Sequence, residues 1–462
     1  MTRTPARART SVVEGRARAA AAQPVAAARA AVLWTGVAAV ALVLLGADLP
    51  LRPPLTTATL AALLTAPAWV AALPGYRWGR NVVVLAGLSL LSGTWLALVS
   101  SVDHGVDAGN AARMGAHLLT GVGGLGLVLW SRRRLRLEAV AALWALGALA
   151  AAVLDVAGSV NPWKYQLSVP VTVLVLALAQ RSRRSAAAVA ALLALAVVGV
   201  LNDSRSYAGF AVIAGVLVMW QALRGAAGAT RRRGAASTLA TLALLGGLVL
   251  GLYAVATSLL VSGALGGELQ ARSVAQVRDG GSLLAGGRPE WTATLRLVAD
   301  SPAGFGVGVV PTTHDVLVAK AGLATVGITM DNGYVDHYMF GGQFELHSVL
   351  ADAWARFGWV GAAWAGLVGA VLVLSLAAAL AERRAVPLVV FLTLMGLWSL
   401  AFGPIYSDLS DVLLALGLCL AARSSTGAAT TTPEAVPRSA AHSGVRSRAQ
   451  AWGPPRETTS RA

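Results

Sequence analysis

The chain has 462 residues; 56% are hydrophobic and 13% charged, about half the charged share of a soluble protein. So little polar surface cannot cover a core of this size in water, which excludes a soluble enzyme, and so apolar a chain is not intrinsically disordered. The formal charge of +16 suggests a nucleic-acid partner until its 37 basic residues, almost all arginine, are mapped along the chain.

Residues 1–29 form an Ala/Arg-rich arm with Arg3, Arg7, Arg9, Arg16, Arg18 and Arg29. It is too long and basic for an ordinary cleaved signal peptide, and no small-residue cleavage site follows, so it reads as a cytoplasmic tail. Nine apolar runs then fill residues 30–261: 30–47, 55–73, 82–100, 111–130, 139–157, 163–179, 185–201, 207–223 and 237–261. Three more follow a polar interval, at 357–380, 386–402 and 409–422. A bilayer core of about 30 Å needs roughly 20 apolar residues per helix. These runs lack the alternating polarity of a barrel strand, so helices are expected. The sixth and last are short, and the expected fold is an all-α polytopic bundle of ten to twelve spans.

The arginines alternate with the spans. Arg77 and Arg80 follow the second run; Arg132, Arg133, Arg134 and Arg136 the fourth; Arg181, Arg183 and Arg184 the sixth. Arg224 and Arg231, Arg232 and Arg233 follow the eighth, and Arg383 and Arg384 the tenth. Intervening loops are poor in arginine and carry Asp103 and Asp107. Arginine collects in cytoplasmic loops, so both termini and every even exit are expected in the cytoplasm. Most of the charge is then topological, touching membrane lipids and no nucleic acid. The single Cys419 permits no internal disulfide and no cysteine-built metal site. Residues 423–462 are Ser/Thr/Pro/Ala-rich and read as a disordered cytoplasmic tail.

The interval 262–346 is the one long loop, expected on the extracytoplasmic side, where function concentrates on such scaffolds. Gly286-Gly287-Arg288-Pro289 predicts a turn into a helix over 290–300 with Trp291, Leu295 and Val298 on one amphipathic face. Ser301-Pro302 ends it, and Gly304, Gly306 and Gly308 predict a tight, backbone-exposed turn rather than a phosphate cradle. The stretch with Asp331, Asn332, Asp336 and His337 reads as irregular. A second helix is expected from about Phe344, carrying Glu345, His347, Asp352 and Arg356 at the membrane boundary. The segment 347–422 then holds this interfacial helix and the last spans.

Three positions carry chemistry. Arg205 lies in a short outside turn, where arginine is scarce and costly unless paired or used for an anion. Arg288 opens the amphipathic helix, and His347 ends the loop. Guanidinium forks bind phosphate oxygens, and a neutral histidine accepts a proton from a hydroxyl nucleophile. Each has a plainer reading beside it. Arg205 pairs with Asp203 or caps a helix, Arg288 pairs with Glu290, and His347 is an interfacial anchor. His337 is the rival base. Arg356, at i, i+4 from Asp352, is a structural pair or a further phosphate ligand. Trp78, Trp130, Trp163, Trp359 and Trp364 fit an aromatic belt better than a sugar platform.

At these places the sequence resembles the O-antigen ligase/polymerase family of bacterial envelope proteins. The resemblance rests on Ser204-Arg205, on Gly287-Arg288 with Trp291 followed by Pro302-Ala303-Gly304-Phe305-Gly306, on His347-Ser348, and on Phe357-Gly358-Trp359-Val360-Gly361. The family has His-Asn where this chain has His-Ser. The resemblance implies a metal-independent membrane glycosyltransferase without a cofactor. Its donor is a glycan on undecaprenyl pyrophosphate, and its acceptor a hydroxyl on a second lipid-linked glycan or a surface lipid or polymer. It also implies that Arg205 and Arg288 hold the pyrophosphate and that His347 activates the acceptor. The alternative is a polytopic transporter or flippase of lipid-linked glycans without covalent chemistry. Span centres nearly free of charge and the absence of two-fold repeat symmetry weigh against it.

Overall fold

The computed structural model describes residues 28–182, 184–226, 234–263, 266–327, 333 and 335–423. The N-terminal arm to residue 27, Arg183, Arg231–Arg233, Asp331, Asn332 and the tail 424–462 lie outside the described residues.

Each of the twelve apolar runs lies mainly on helix, and among the described residues seven helices are long and apolar enough to cross a membrane. These are α1 (Ala28–Ala47), α4 (Gly79–Ser100), α5 (Ala108–Ser131), α6 (Leu137–Asp155), α9 (Arg205–Ala226), α10 (Ala235–Val261) and α15 (Val349–Ala381). An eighth candidate is a pair bent by 66°, α2 (Thr57–Leu64) with α3 (Ala66–Ala72). Pro67 at the start of α3 breaks the ladder there. The other four runs form shorter helices: α7 (Ser168–Ala179, behind a π-helical turn), α8 (Ser185–Leu201), α16 (Pro387–Phe402) and α17 (Ile405–Cys419). The described residues thus form a largely helical, multi-pass membrane protein with one short hairpin at 50–56, and hold fewer full-length span candidates than the twelve apolar runs.

Small residues let the helices cross closely, as packing in lipid requires. A Cβ on Gly46 would meet the Trp144 carbonyl, and one on Gly147 the Val43 carbonyl, so α1 and α6 touch backbone to backbone. Along α5, Gly121 faces Leu409 and Leu413, Gly123 faces Ala62, and Gly126 lies under Trp69. Trp130 and Trp364 are buried, which removes both from the expected belt; Trp359 stays exposed.

The arginines after even-numbered runs gather at one end of the bundle. Arg132 Nη1 donates to the Gly417 and Leu420 carbonyls at 2.6 and 2.8 Å, and Arg133 donates to Ala72 O. The Arg77 and Arg423 amides bond to Ala421 O and Gly75 O, and Arg383 Nη1 donates to Arg224 O at 2.9 Å. These groups satisfy the last carbonyls of several helices, which a helix leaves unpaired.

Between α10 and α15 no described helix is a span candidate. This interval contains α11 (Gly267–Gly280), α12 (Leu283–Gly287), α13 (Glu290–Asp300), α14 (Thr313–Ala324) and a π-helical turn Val335–Met339. The helix at 290–300 forms as predicted, with Trp291 and Val298 half-buried. Ala293, Thr294 and Leu297 are buried, whereas Leu295 is exposed. The glycine run is not backbone-exposed either; residues 305–309 are buried. The Phe305 and Gly306 amides bond to Ala355 O and the Val307 amide to Gly93 O. All three glycines have positive φ, and a Cβ on Gly306 would stand 2.3 Å from the Ala97 amide nitrogen. The run is a thread between α4, α5 and α15, a place where only glycine lets backbones meet.

The second expected helix begins later than Phe344. Ser348 is the N-cap of α15, its Oγ accepting from the Ala351 amide, and His347 stands outside the helix at φ 53°. Glu345 and His347 therefore lie on an irregular segment. Inside α15, Gly358 has φ 65° and ψ −157° and breaks the helix. At the break, Ser92 Oγ of α4 donates to Phe357 O at 2.9 Å and Ser89 Oγ to Val360 O at 3.3 Å.

Candidate functional site

Helix α16 ends at Phe402, and its last carbonyls need donors. Three consecutive ones find them in the segments flagged by the sequence. Leu400 O accepts from Ser348 Oγ at 2.9 Å, Ala401 O from Trp291 Nε1 at 2.8 Å, and Phe402 O from Arg288 Nη1 at 3.4 Å. This brings the residue beside His347 and the start of α13 to one helix end. A guanidinium at a helix C-terminus is favourably placed against the helix dipole.

Arg288 is half-buried and lies over two rings, 5.2 Å from the Trp398 centroid and 5.7 Å from that of Phe402. Such stacking contributes about 0.5–2 kcal/mol and holds the guanidinium plane.

Arg205 reaches the same end along α9. Helix α8 closes in a Schellman turn: the Ser204 amide bonds to Gly199 O at 2.8 Å, the Asp203 amide to Val200 O at 3.1 Å, and Asp203 takes φ 51°. Arg205 then opens α9, and its Nε lies 3.4 Å from Asp203 Oδ1 with both side chains at least half exposed. The two helices run antiparallel, since Gln221, late in α9, bonds to the Ala385 backbone just before α16. Five residues into α9, about 7.5 Å along its axis, the Phe210 ring lies 5.3 Å from that of Trp398, under Arg288.

The His347 segment is anchored by Asp352. Its Oδ1 accepts from the Leu346 amide at 2.8 Å and its Oδ2 from the Ile405 amide at 3.0 Å. Its Oδ1 also lies 3.0 Å from Arg356 Nη1, with both side chains at most 5% exposed. Arg356 is therefore the buried i, i+4 partner of Asp352, and it stacks 5.3 Å from the Tyr406 ring centroid. His347 Nδ1 is 3.1 Å from the Glu345 carbonyl. A carbonyl only accepts, so in the neutral ring Nδ1 carries the proton and Nε2 is the basic nitrogen. His337 stands exposed on the Val335–Met339 turn, beside Asp336, which Lys320 pairs at 2.7 Å.

Arg288 and Ser348, the neighbour of His347, thus meet on the last carbonyls of α16, and Arg205 opens the helix whose Phe210 packs on Trp398. Arg356 is ion-paired with Asp352, and its Nη1 and Nη2 are buried without a hydrogen-bond partner among the described residues. Sequence reasoning missed Trp398 and Phe402, which an apolar run does not distinguish from lipid-facing residues, and Asp352 as an anchor of three groups. An acidic residue in the first turn of an otherwise apolar helix was the available signal. Among the described residues no cluster of three His, Cys, Asp or Glu side chains is placed to hold a metal. No protein-family model, no characterised protein and no solved structure matches the chain.

Proposed function

We propose that the chain is a membrane glycan ligase or polymerase. It transfers a glycan from a polyprenyl-pyrophosphate donor to an acceptor hydroxyl on the outer side of the cytoplasmic membrane. The observation that carries this reading is the meeting of Arg288 and of Ser348, beside His347, on the last carbonyls of α16, with Arg205 opening the helix whose Phe210 packs on Trp398 of α16. Arg288, held beside two rings, offers its fork to diphosphate oxygens. Arg205 is in an exposed pair that contributes little to stability, and it exchanges Asp203 for phosphate at small cost. His347 Nε2 takes the proton from the acceptor hydroxyl. That oxygen attacks the anomeric carbon, whose bond to the pyrophosphate oxygen breaks, and the departing charge falls to the two guanidiniums.

The test is glycan transfer by Arg288→Ala and His347→Ala proteins that insert and accumulate normally. Loss of the base is expected to slow transfer by about 10²–10⁴-fold. Transfer at the unaltered rate by both proteins would sink the mechanism. Movement of an intact lipid-linked glycan across vesicles with no new linkage would favour the transporter instead.

A further inference from the structure

A cavity of about 530 Å³ opens at the arginine-rich end of the bundle, away from the end of α16 described above. It is lined by Gln180 and Arg184 between α7 and α8, by Val218 and Gln221 on α9, by Arg383 between α15 and α16, and by Pro387 at the start of α16. The Arg383 turn is a built feature. The Arg384 amide bonds to Ala379 O at 2.9 Å and the Arg383 amide to Leu380 O at 3.1 Å, a Schellman closure with Arg383 at φ 52°. Gln221 is spent on the scaffold, its amide group bonding both the Ala385 carbonyl and the Ala385 N–H. Gln180 is different: its Oε1 is buried and receives no hydrogen bond among the described residues. A buried acceptor without a donor is costly, and a hydroxyl from a ligand would satisfy it.

The cavity therefore combines two guanidiniums, one acceptor waiting for a donor, and apolar walls from Val218 and Pro387. It lies where several helices of a membrane protein end, the level of lipid headgroups, and basic pockets between spans at that level suit anionic headgroups. We propose that this cavity binds an anionic phospholipid whose headgroup carries a free hydroxyl. The phosphodiester lies between Arg184 and Arg383, the headgroup hydroxyl donates to Gln180 Oε1, and the glycerol backbone and acyl chains lie along the apolar wall. The shared chemistry is a hydroxylated phosphate ester, which a soluble phosphate would also present, but the apolar wall favours the lipid.

The experiment uses the full chain in detergent, titrated with dioctanoyl phosphatidylglycerol, dioctanoyl phosphatidylcholine, dioctanoyl phosphatidic acid and glycerol 1-phosphate. Phosphatidylglycerol is expected to bind saturably and about tenfold more tightly than phosphatidylcholine, the scale of one charge-assisted contact. Arg184→Glu, at an exposed helix start, is expected to weaken phosphatidylglycerol by about tenfold or more. Gln180→Leu is expected to bring phosphatidylglycerol down to the affinity of phosphatidic acid, which lacks the headgroup hydroxyl, and to leave phosphatidic acid unchanged. Wild-type affinity for phosphatidylglycerol in both variants overturns the site. Competition by glycerol 1-phosphate at equal concentration overturns the lipid as its occupant.

Discussion

Asp352 shows how much one side chain can organise at a helix start. Its two oxygens hold the amides of Leu346 and Ile405 and the guanidinium of Arg356, so the His347 segment, α15 and α17 are fastened to a single carboxylate. Removing one partner of a buried pair leaves the other charge uncompensated, at about 3–5 kcal/mol. Asp352→Ala is therefore expected to lower the thermal midpoint of the solubilised protein far more than Glu382→Ala, whose pair with Arg384 is partly exposed. Equal midpoints would show that Asp352 carries no such load. The pair itself was legible from the i, i+4 spacing of Asp352 and Arg356. The two backbone amides were not, because Ile405 is brought to Asp352 only by the packing of α17 on α15.

At the scale of elements, the glycine thread from Gly304 to Gly308 fixes the long loop to the bundle. The sequence marks it as a turn, since alternate glycines permit positive φ. Its burial depends on α4, α5 and α15 closing around it, and no local pattern encodes that. Gly306→Ala would combine φ 118° with a Cβ 2.3 Å from the Ala97 amide nitrogen. It is expected to abolish accumulation of folded protein. Gly342→Ala, at φ 105° but facing open space, bears backbone strain alone, about 1–3 kcal/mol. Similar yields of the two in a membrane-extraction assay would refute the steric account. The start of α15 teaches a related lesson. The apolar pattern suggested a helix from Phe344, but the Ser348 cap and the anchoring of the Leu346 amide by Asp352 delay it, leaving His347 on irregular backbone.

At the scale of the molecule, the two ends of the bundle differ in chemistry. One gathers Arg132, Arg133 and Arg383 on helix-end carbonyls; the other holds Arg288, Arg205 and His347. The positive-inside rule predicts that the first faces the cytoplasm. In a Cys419→Ala background, Ser101→Cys is expected to react with a membrane-impermeant maleimide in intact spheroplasts. Ser182→Cys is expected to react only after the membrane is opened. The reverse pattern would turn the protein over and remove the proposed donor site from the outer face.

Composition and the pattern of its apolar runs determined that the chain is helical and membrane-embedded, because only helices and closed barrels satisfy the backbone in lipid and a barrel strand would alternate in polarity. The run boundaries and the segregation of arginine also lay open in the sequence, because both are set by local hydropathy and charge. The number of full-length spans did not, since four of the twelve runs form shorter helices and a fifth is bent at Pro67. Nor did the meeting of Arg288, Trp291 and Ser348 on the last carbonyls of one helix. Those contacts join segments far apart in the chain, and only the packing of α13 and α15 around α16 brings them within reach.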